Sequence, residues 1–225
     1  MKAKLLSMCT VVLLATGLLS SCGDFNDEET FGSDSPKADS PNTENKESSE
    51  KDSSLLSGMH HGEIVLKDYG TVSIELDADN APITVTNFVN LAKDGFYDNQ
   101  TFIRIQENFV IQGGDWRNGN MEKAPASIKG EFSENGVNNS ITHQRGVLSM
   151  ARSTDMNSAD TQFFIMLEDN DFLDGNYAAF GRVTEGMDLI DQLVADYIGY
   201  GDAANMGFIA DPANQPVIET IRILD

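Results

Sequence analysis

Short apolar runs follow one another from about residue 60 to residue 225, and most are too brief for an ordinary helix. Around the turn at Asp68, Tyr69 and Gly70, apolar and polar residues alternate, which is typical of a hairpin with one buried face. The later β-like runs are residues 101–106, 109–113, 146–151, 162–167, 178–183 and 217–224. So many short strands favour an antiparallel barrel or a sandwich.

Two segments have helical spacing instead. The first begins at Asn80-Ala81-Pro82, because proline suits the first turn of a helix, and it ends at Gly95. The second covers about residues 186–195. The residues expected to be buried on these helices are Val85, Phe88, Val89, Ala92, Met187, Ile190, Leu193 and Val194. The chain is therefore predicted to be mostly β, with two helices packed on the strands.

Residues 1–21 have the features of an export signal: Lys2 and Lys4, then an apolar run over residues 11–19. That run is too short for a comfortable membrane-spanning helix. The sequence Leu19-Ser20-Ser21-Cys22 resembles the bacterial lipobox, in which the cysteine takes a diacylglycerol and becomes the first residue after cleavage. We therefore expect lipidation of Cys22. An ordinary secretory signal with an incidental cysteine is the alternative.

Residues 22–59 are expected to form an acidic, disordered tether. The stretch 34–50 has no large apolar side chain, so burial cannot offset the entropy of ordering it. A binding role for this tract is the alternative to a solvated spacer. The whole chain has 15 basic and 36 acidic residues, a formal charge of −21, which argues against nucleic acid as a partner.

The domain that follows, residues 60–225, has no cysteine, because Cys9 and Cys22 are the only two in the chain. A disulfide framework, a cysteine nucleophile and a cysteine-based zinc site are thus excluded there. The pair His60-His61 precedes the first expected strand and is interpreted as exposed linker. A metal site at this pair is the alternative, although no third ligand lies nearby in the sequence.

One segment, residues 102–115, combines charged, amide and aromatic side chains. Strand alternation predicts that Phe102, Arg104 and Gln106 share one face. On the next strand Phe109 and Gln112 fall on opposite faces, but local twist could let Arg104, Phe109 and Gln112 converge. An arginine and a glutamine among aromatic residues are costly in a plain core, so a functional surface is expected here.

Two further segments matter: Gly146-Val147-Leu148-Ser149-Met150-Ala151-Arg152 with Thr161-Gln162-Phe163-Phe164-Ile165, and residues 171–181. Together with residues 102–115, in this order and spacing, they closely resemble the cyclophilin family of peptidyl-prolyl cis-trans isomerases. The resemblance covers essentially the whole domain. It implies an eight-stranded antiparallel β-barrel capped by two α-helices, here preceded by the disordered tether.

The resemblance also implies site residues. Arg104 takes the catalytic position, assisted by Gln112 and Phe109. The implied substrate-binding positions are Val110, Ala151, Arg152, Gln162, Phe164, Phe172, Leu173 and Tyr177. No metal and no cofactor is implied, and the expected partners are proline-containing polypeptides.

The physical chemistry of the reaction agrees with this set. The X-Pro bond rotates slowly because resonance gives its C–N bond double-bond character. In the twisted state the proline nitrogen becomes pyramidal and gains a lone pair. A guanidinium aimed at that nitrogen binds the twisted state better than the planar one, which is differential transition-state binding.

Four positions depart from the family pattern: Ile103 for a frequent histidine, Val110 for a frequent methionine, Phe172 for a tryptophan and Tyr177 for a histidine. The reaction should be unaffected, since the arginine is retained. The cyclic-peptide inhibitor cyclosporin is expected to bind less tightly, because Phe172 lacks an indole donor.

Two other features are given no catalytic role. His143, just before a strand, is interpreted as a satisfied structural residue, and residues 197–212 as a long loop without an assigned mechanism. The chain is thus predicted to be a lipid-anchored, extracytoplasmic isomerase that assists folding of secreted or surface proteins. The alternatives are a peptide-binding holdase or scaffold, and a metal-binding surface lipoprotein.

Overall fold

The structure is a computed structural model that describes residues 54–118 and 125–225. The expected signal, Cys22 and most of the expected tether lie outside these residues. The strands are β1 (Met59–Leu66), β2 (Gly70–Asp77), β3 (Gln100–Gln106), β4 (Val110–Gly113), β5 (Val147–Met150), β6 (Phe163–Met166), β7 (Ala179–Glu185) and β8 (Val217–Ile223). The helices are α1 (Pro82–Lys93) and α2 (Met187–Tyr197).

The eight strands close into one antiparallel barrel in the order β1-β2-β7-β5-β6-β4-β3-β8. The expected barrel with two helices is confirmed. Closure gives every strand two neighbours, which is how an antiparallel sheet of this size avoids edge-to-edge association. Both helices pack against the barrel with apolar faces, α1 through Phe88 and Val89 and α2 through Ile190 and Leu193.

Helix α1 begins where the sequence indicates, with Pro82 in the first turn. Its free N–H groups are satisfied by a distant residue, the buried Glu131, whose carboxylate accepts from the backbone N–H of Ile83 (3.0 Å) and of Thr84 (2.7 Å). An anion at a helix N-terminus is favoured by both these bonds and the helix dipole. The helix is thereby tied to the loop before β5.

The barrel interior is filled by aromatic rings. Phe88 lies 5.1 Å from Tyr97, 5.4 Å from Phe163 and 5.1 Å from Phe180, measured between ring centroids. All four side chains are fully buried. Tilted and edge-on contacts at these distances are the favoured arrangements for aromatic pairs.

The interpretation of His60-His61 as linker is wrong. Strand β1 begins at Met59, and His60 and His61 pair with Leu76 and Glu75 of β2. The hairpin is longer than its apolar alternation indicates, because backbone pairing continues past the last buried residue. Both imidazole Nδ1 atoms lie near the Asp225 carboxylate, at 3.3 and 3.0 Å.

In the described residues, 54–118 and 125–225, no helix has both the length and the apolar character needed to cross a membrane.

Candidate active site

A β-bulge in β3 decides which side chains face the site. Phe102 pairs with Gly113 but Arg104 pairs with Gln112, so three residues of β3 lie opposite two of β4. Phe102 consequently packs inside the barrel while Arg104 lies on its outer surface. The prediction that Phe102 and Arg104 share a face is wrong, because strict alternation does not hold across a bulge.

The outer surface beside Arg104 carries an apolar cluster separate from the barrel interior. Its members come from β4, β5, β6, β7 and the segments that flank these strands. The buried ones are Val110, Val147, Phe164, Met166, Leu173 and Ala179, and the partly buried ones are Phe109, Ile141, Ala151 and Tyr177. The outer side of this surface cluster, here called the pocket, lies next to the arginine, because the ring of Phe109 contacts the guanidinium of Arg104.

Arg104 is held by three hydrogen bonds. Its Nε donates to the carbonyl of Met206 (2.8 Å), its Nη1 to Oε1 of Gln112 (3.1 Å) and its Nη2 to Oε1 of Gln106. A guanidinium has five N–H donors, so one on each terminal nitrogen remains after these bonds. The free donors are therefore available to a ligand in the groove.

Among the described residues, the charge of Arg104 is stabilised by neutral oxygen acceptors and aromatic rings, not by a carboxylate. Within the described residues no carboxylate lies in salt-bridge contact with it. Its Cζ lies 5.6 Å from the ring centroid of Phe109. Burial lowers the pKa of Arg104, with Tyr177 acting in the opposite direction, but an arginine keeps its proton at neutral pH. The result is an unpaired cation at the edge of an apolar pocket.

Gln112 joins this cation to the neighbouring loop. Its Oε1 accepts from Arg104, and its Nε2 donates to Oε1 of Gln162 at 2.9 Å. Gln112 is 9% exposed. These two bonds fix the orientation of the amide, so the chain Arg104–Gln112–Gln162 forms one polar side of the groove.

A second arginine, Arg152, also borders the surface cluster. The Cζ of Arg152 lies 4.8 Å from the Tyr177 ring centroid and 5.2 Å from that of Phe132, and its Nε donates to the carbonyl of Asn176 (2.9 Å). Tyr177 in turn meets Phe164 edge-on at 5.9 Å. Arg152, like Arg104, is thus engaged with protein groups.

Two other expected site residues have particular surroundings. The backbone N–H of Ala151 donates to the Gln162 carbonyl at 2.9 Å, so that donor is already used within the protein. Phe172 is 69% exposed, whereas its neighbour Leu173 is buried. Leu173 belongs to the surface cluster, and Phe172 precedes it in the chain with an exposed ring.

Comparison with known sequences decides the family. A family profile described as "Cyclophilin type peptidyl-prolyl cis-trans isomerase/CLD" matches residues 61–223. The chain is 38% identical over 142 residues to peptidyl-prolyl cis-trans isomerase B of Escherichia coli, covering 60% of this chain and 79% of that protein. The chain belongs to the cyclophilin-type isomerase family.

Other cyclophilins support the assignment. An Acinetobacter baylyi peptidyl-prolyl cis-trans isomerase is 42% identical over 130 residues, covering 55% of this chain and 66% of the relative. A Streptomyces antibioticus peptidyl-prolyl cis-trans isomerase is 36% identical over 163 residues, covering 69% and 93%. Family membership and these relatives establish the protein as a peptidyl-prolyl cis-trans isomerase.

The fold is also found in a solved cyclophilin. A crystal structure of a Cryptosporidium parvum cyclophilin-type isomerase superposes with a TM-score of 0.62 and 24% identity, covering 75% of this chain and 99% of that one.

In the described part of the present chain, no group of three or more His, Cys, Asp or Glu side chains could hold a metal ion.

His143 lies behind the pocket of this cyclophilin, with both ring nitrogens bonded. Nδ1 lies 2.8 Å from Oδ1 of Asp174, and Nε2 lies 3.0 Å from Oγ of Ser149. A carboxylate only accepts, so the proton is assigned to Nδ1 and the Ser149 hydroxyl donates to Nε2. The imidazole stacks on the Phe164 ring at 6.2 Å. The structural interpretation of His143 agrees with these contacts.

Sequence reasoning missed the contribution of residues 206–208. Met206 supplies the carbonyl that binds Arg104, and the Phe208 ring centroid lies 5.7 Å from the Arg104 Cζ. Both residues belong to the loop 197–212, for which the sequence alone predicts no mechanism. The available signal is the apolar run Met206-Gly207-Phe208-Ile209 within that loop.

Proposed function

We propose that Arg104 is the catalytic group of this isomerase and that the surface cluster binds the proline ring. The observation that supports this most strongly is the guanidinium of Arg104, which has no carboxylate partner among the described residues and keeps two N–H donors. It lies beside the pocket, whose residues include Val110, Phe164 and Leu173.

The proposed mechanism uses binding energy alone. Burial of the proline ring against the surface cluster positions the X-Pro bond, and the Gln112 amide holds the flanking backbone. As the bond twists, the nitrogen lone pair that resonance had delocalised becomes an acceptor, and an Arg104 N–H donates to it. Because this bond exists only in the twisted state, it lowers the barrier without tightening the ground state.

The test is the exchange rate of a proline peptide, measured by NMR with wild type and Arg104→Ala. Removing a charged transition-state donor should lower kcat by about 100- to 1,000-fold. Arg182→Ala is the matched control, because Arg182 is 67% exposed on β7 and, among the described residues, forms a surface salt bridge with Glu75 alone. Full activity of Arg104→Ala would exclude the proposed role.

We further propose that the isomerase acts outside the cytoplasm, anchored through lipid on Cys22, and assists folding of secreted or surface proteins. The support is the segment Leu19-Ser20-Ser21-Cys22 after a short apolar run. Loss of residues 1–21 removes Lys2 and Lys4, so the mature charge becomes 13 − 36 = −23. Such a domain would be repelled by anionic headgroups and so would extend away from the membrane surface.

The two cysteines allow a matched test of the anchor. Cys22→Ala should abolish incorporation of a labelled fatty acid and leave the signal uncleaved, because the acylated thiol is what the peptidase requires. Cys9→Ala, in the same signal, should be labelled and cleaved normally. Labelling of the Cys22→Ala protein would refute the anchor while leaving the isomerase activity unaffected.

A role in binding clients without turnover is favoured by one observation, the 69% exposure of Phe172, which precedes Leu173 of the surface cluster in the chain. An exposed phenyl ring suits capture of unfolded chains. If Arg104→Ala still prevents aggregation of a client in vivo and in vitro while Phe172→Ser does not, the holdase role prevails over catalysis.

We also propose that cyclosporin binds weakly, because the side chain of Phe172 offers no N–H donor. Phe172→Trp should then raise cyclosporin affinity without raising kcat. An unchanged dissociation constant in a titration would contradict this explanation.

A further inference from the structure

The strand that carries Arg104, β3, needs a second hydrogen-bonding neighbour for residues 103–106. β3 pairs with β8 only at Gln100 and Thr101, whereas β4 covers its other edge from Phe102 to Gln106. The segment 206–209 fills the remaining edge. The N–H of Ile105 donates to the Gly207 carbonyl (2.9 Å), and the N–H of Ile209 donates to the Ile103 carbonyl (2.9 Å).

The same segment touches the guanidinium directly. The Met206 carbonyl accepts from Nε of Arg104 at 2.8 Å, and the Phe208 ring centroid lies 5.7 Å from Cζ. Arg104 and Phe208 also form an isolated β-bridge. Thus backbone and side-chain contacts from one segment fix both the strand and the end of its arginine.

The local backbone is built to bring this segment close to β3. Met206 and Gly207 have φ of 55° and 82°, in the left-handed region. A Cβ on Gly207 would lie 2.1 Å from the Ile105 carbonyl oxygen, so only glycine permits this approach. The N–H of Gly207 donates to the Asp202 carbonyl at 2.8 Å, which closes the turn.

We propose that Met206–Phe208 is a positioning element for Arg104, in which Phe208 holds the guanidinium so that its free terminal N–H groups point into the groove. The Met206 carbonyl fixes Nε, and the aromatic face of Phe208 favours the cation. Small displacements of a reacting group lower rates strongly, so a guanidinium free to change rotamer would donate less often to the twisted bond. The inference depends on the proposed role of Arg104 and is independent of lipidation.

The test compares four variants of the full chain in the proline-peptide exchange assay. Phe208→Ala should lower kcat about tenfold with little change in KM, because it removes orientation rather than substrate contact. Phe208→Tyr, which keeps the aromatic face, should restore kcat. Tyr200→Ala, an aromatic change in the same loop but at an exposed residue, should retain wild-type kcat. Arg104→Ala serves as the reference for full loss.

A spectroscopic readout separates positioning from simple stability. In wild type the Arg104 Nε–H should exchange slowly and give a distinct ¹⁵N resonance, because it donates to Met206; in Phe208→Ala that signal should broaden or shift. If Phe208→Ala does not fold, Phe208→Leu decides, since it keeps apolar volume without the aromatic face. Wild-type kcat with an unchanged Nε–H signal in a folded variant overturns the proposal. Full activity of Arg104→Ala instead overturns the catalytic role on which it depends.

Discussion

The two sides of the barrel differ in how their strands are buried. In β1 and β2 buried and polar residues alternate, so one face lines the core and the other meets water. In β4, β5 and β6 every residue is buried, because the inner face lines the core and the outer face belongs to the surface cluster. A short strand that is apolar on both faces, in an antiparallel barrel, therefore indicates the side that carries a pocket.

Adjacent residues of β6 allow a direct comparison of the two faces, and the inner one should give the largest stability effect. Phe163 is fully buried and contacts Phe88, Tyr97 and Phe102 in the interior. Phe163→Ala should lower the free energy of unfolding by about 3–5 kcal/mol, because the surrounding barrel cannot collapse into the cavity. Denaturant unfolding measures this. A loss below about 1 kcal/mol would show that the interior is less tightly packed than the structure indicates.

The outer neighbour, Phe164, should mainly affect activity. Its ring borders the pocket between His143 and Tyr177. Phe164→Ala should lower kcat/KM by about 10- to 100-fold, since the proline ring loses an apolar wall. It should cost about 2 kcal/mol of stability, less than Phe163→Ala, because the open groove allows relaxation. Equal stability losses at the two positions with unchanged kcat/KM would contradict the division between an inner and a functional face.

Alternation and resemblance predicted the barrel and both helices, but they could not predict the bulge in β3. Nothing in Phe102-Ile103-Arg104 marks the extra residue, since the bulge is set by pairing with Gly113 and Gln112. The hydrogen bond from Arg104 to Met206 could not be predicted from the sequence either, because every residue has a backbone carbonyl. Its distance from Arg104 in sequence is 102 residues, so only the tertiary fold brings the two together.

A smaller effect is expected from the histidine beneath the pocket, and it depends on pH. Burial lowers the pKa of His143, with the Asp174 bond acting in the opposite direction. Below the unfolded pKa of about 6.5, the imidazole binds a proton in the unfolded chain but stays neutral in the folded protein. The contribution of His143 to the free energy of unfolding is therefore fully present above about pH 6.5 and is lost as the pH falls toward the lower, folded pKa. His143→Gln should remove this part of the pH dependence.

The measurement is Tm between pH 8 and pH 5 for wild type and His143→Gln. The two curves should differ by a constant offset above pH 7 and converge below about pH 6.5, since only wild type has a proton to bind on unfolding. Parallel curves over the whole interval would show that His143 does not titrate differently in the folded and unfolded states. The same pair assayed at pH 7.5 shows whether the imidazole stacked on Phe164 also affects kcat.

The smallest effect should come from the outer face of the alternating strands, where Arg182 of β7 pairs with Glu75 of β2. The Nη2 to Oε2 distance is 3.0 Å, yet Arg182 is 67% exposed, so water and salt screen the attraction. Glu75→Gln should change the free energy of unfolding by no more than about 0.5 kcal/mol and leave kcat/KM unaltered. Glu75→Gln and Phe164→Ala thus compare two outward-facing positions. Phe164 belongs to the surface cluster, and Glu75 does not. A loss of activity in Glu75→Gln would mean that the face beyond the cluster also contributes to the groove, and the comparison between the two sides would then have to be abandoned.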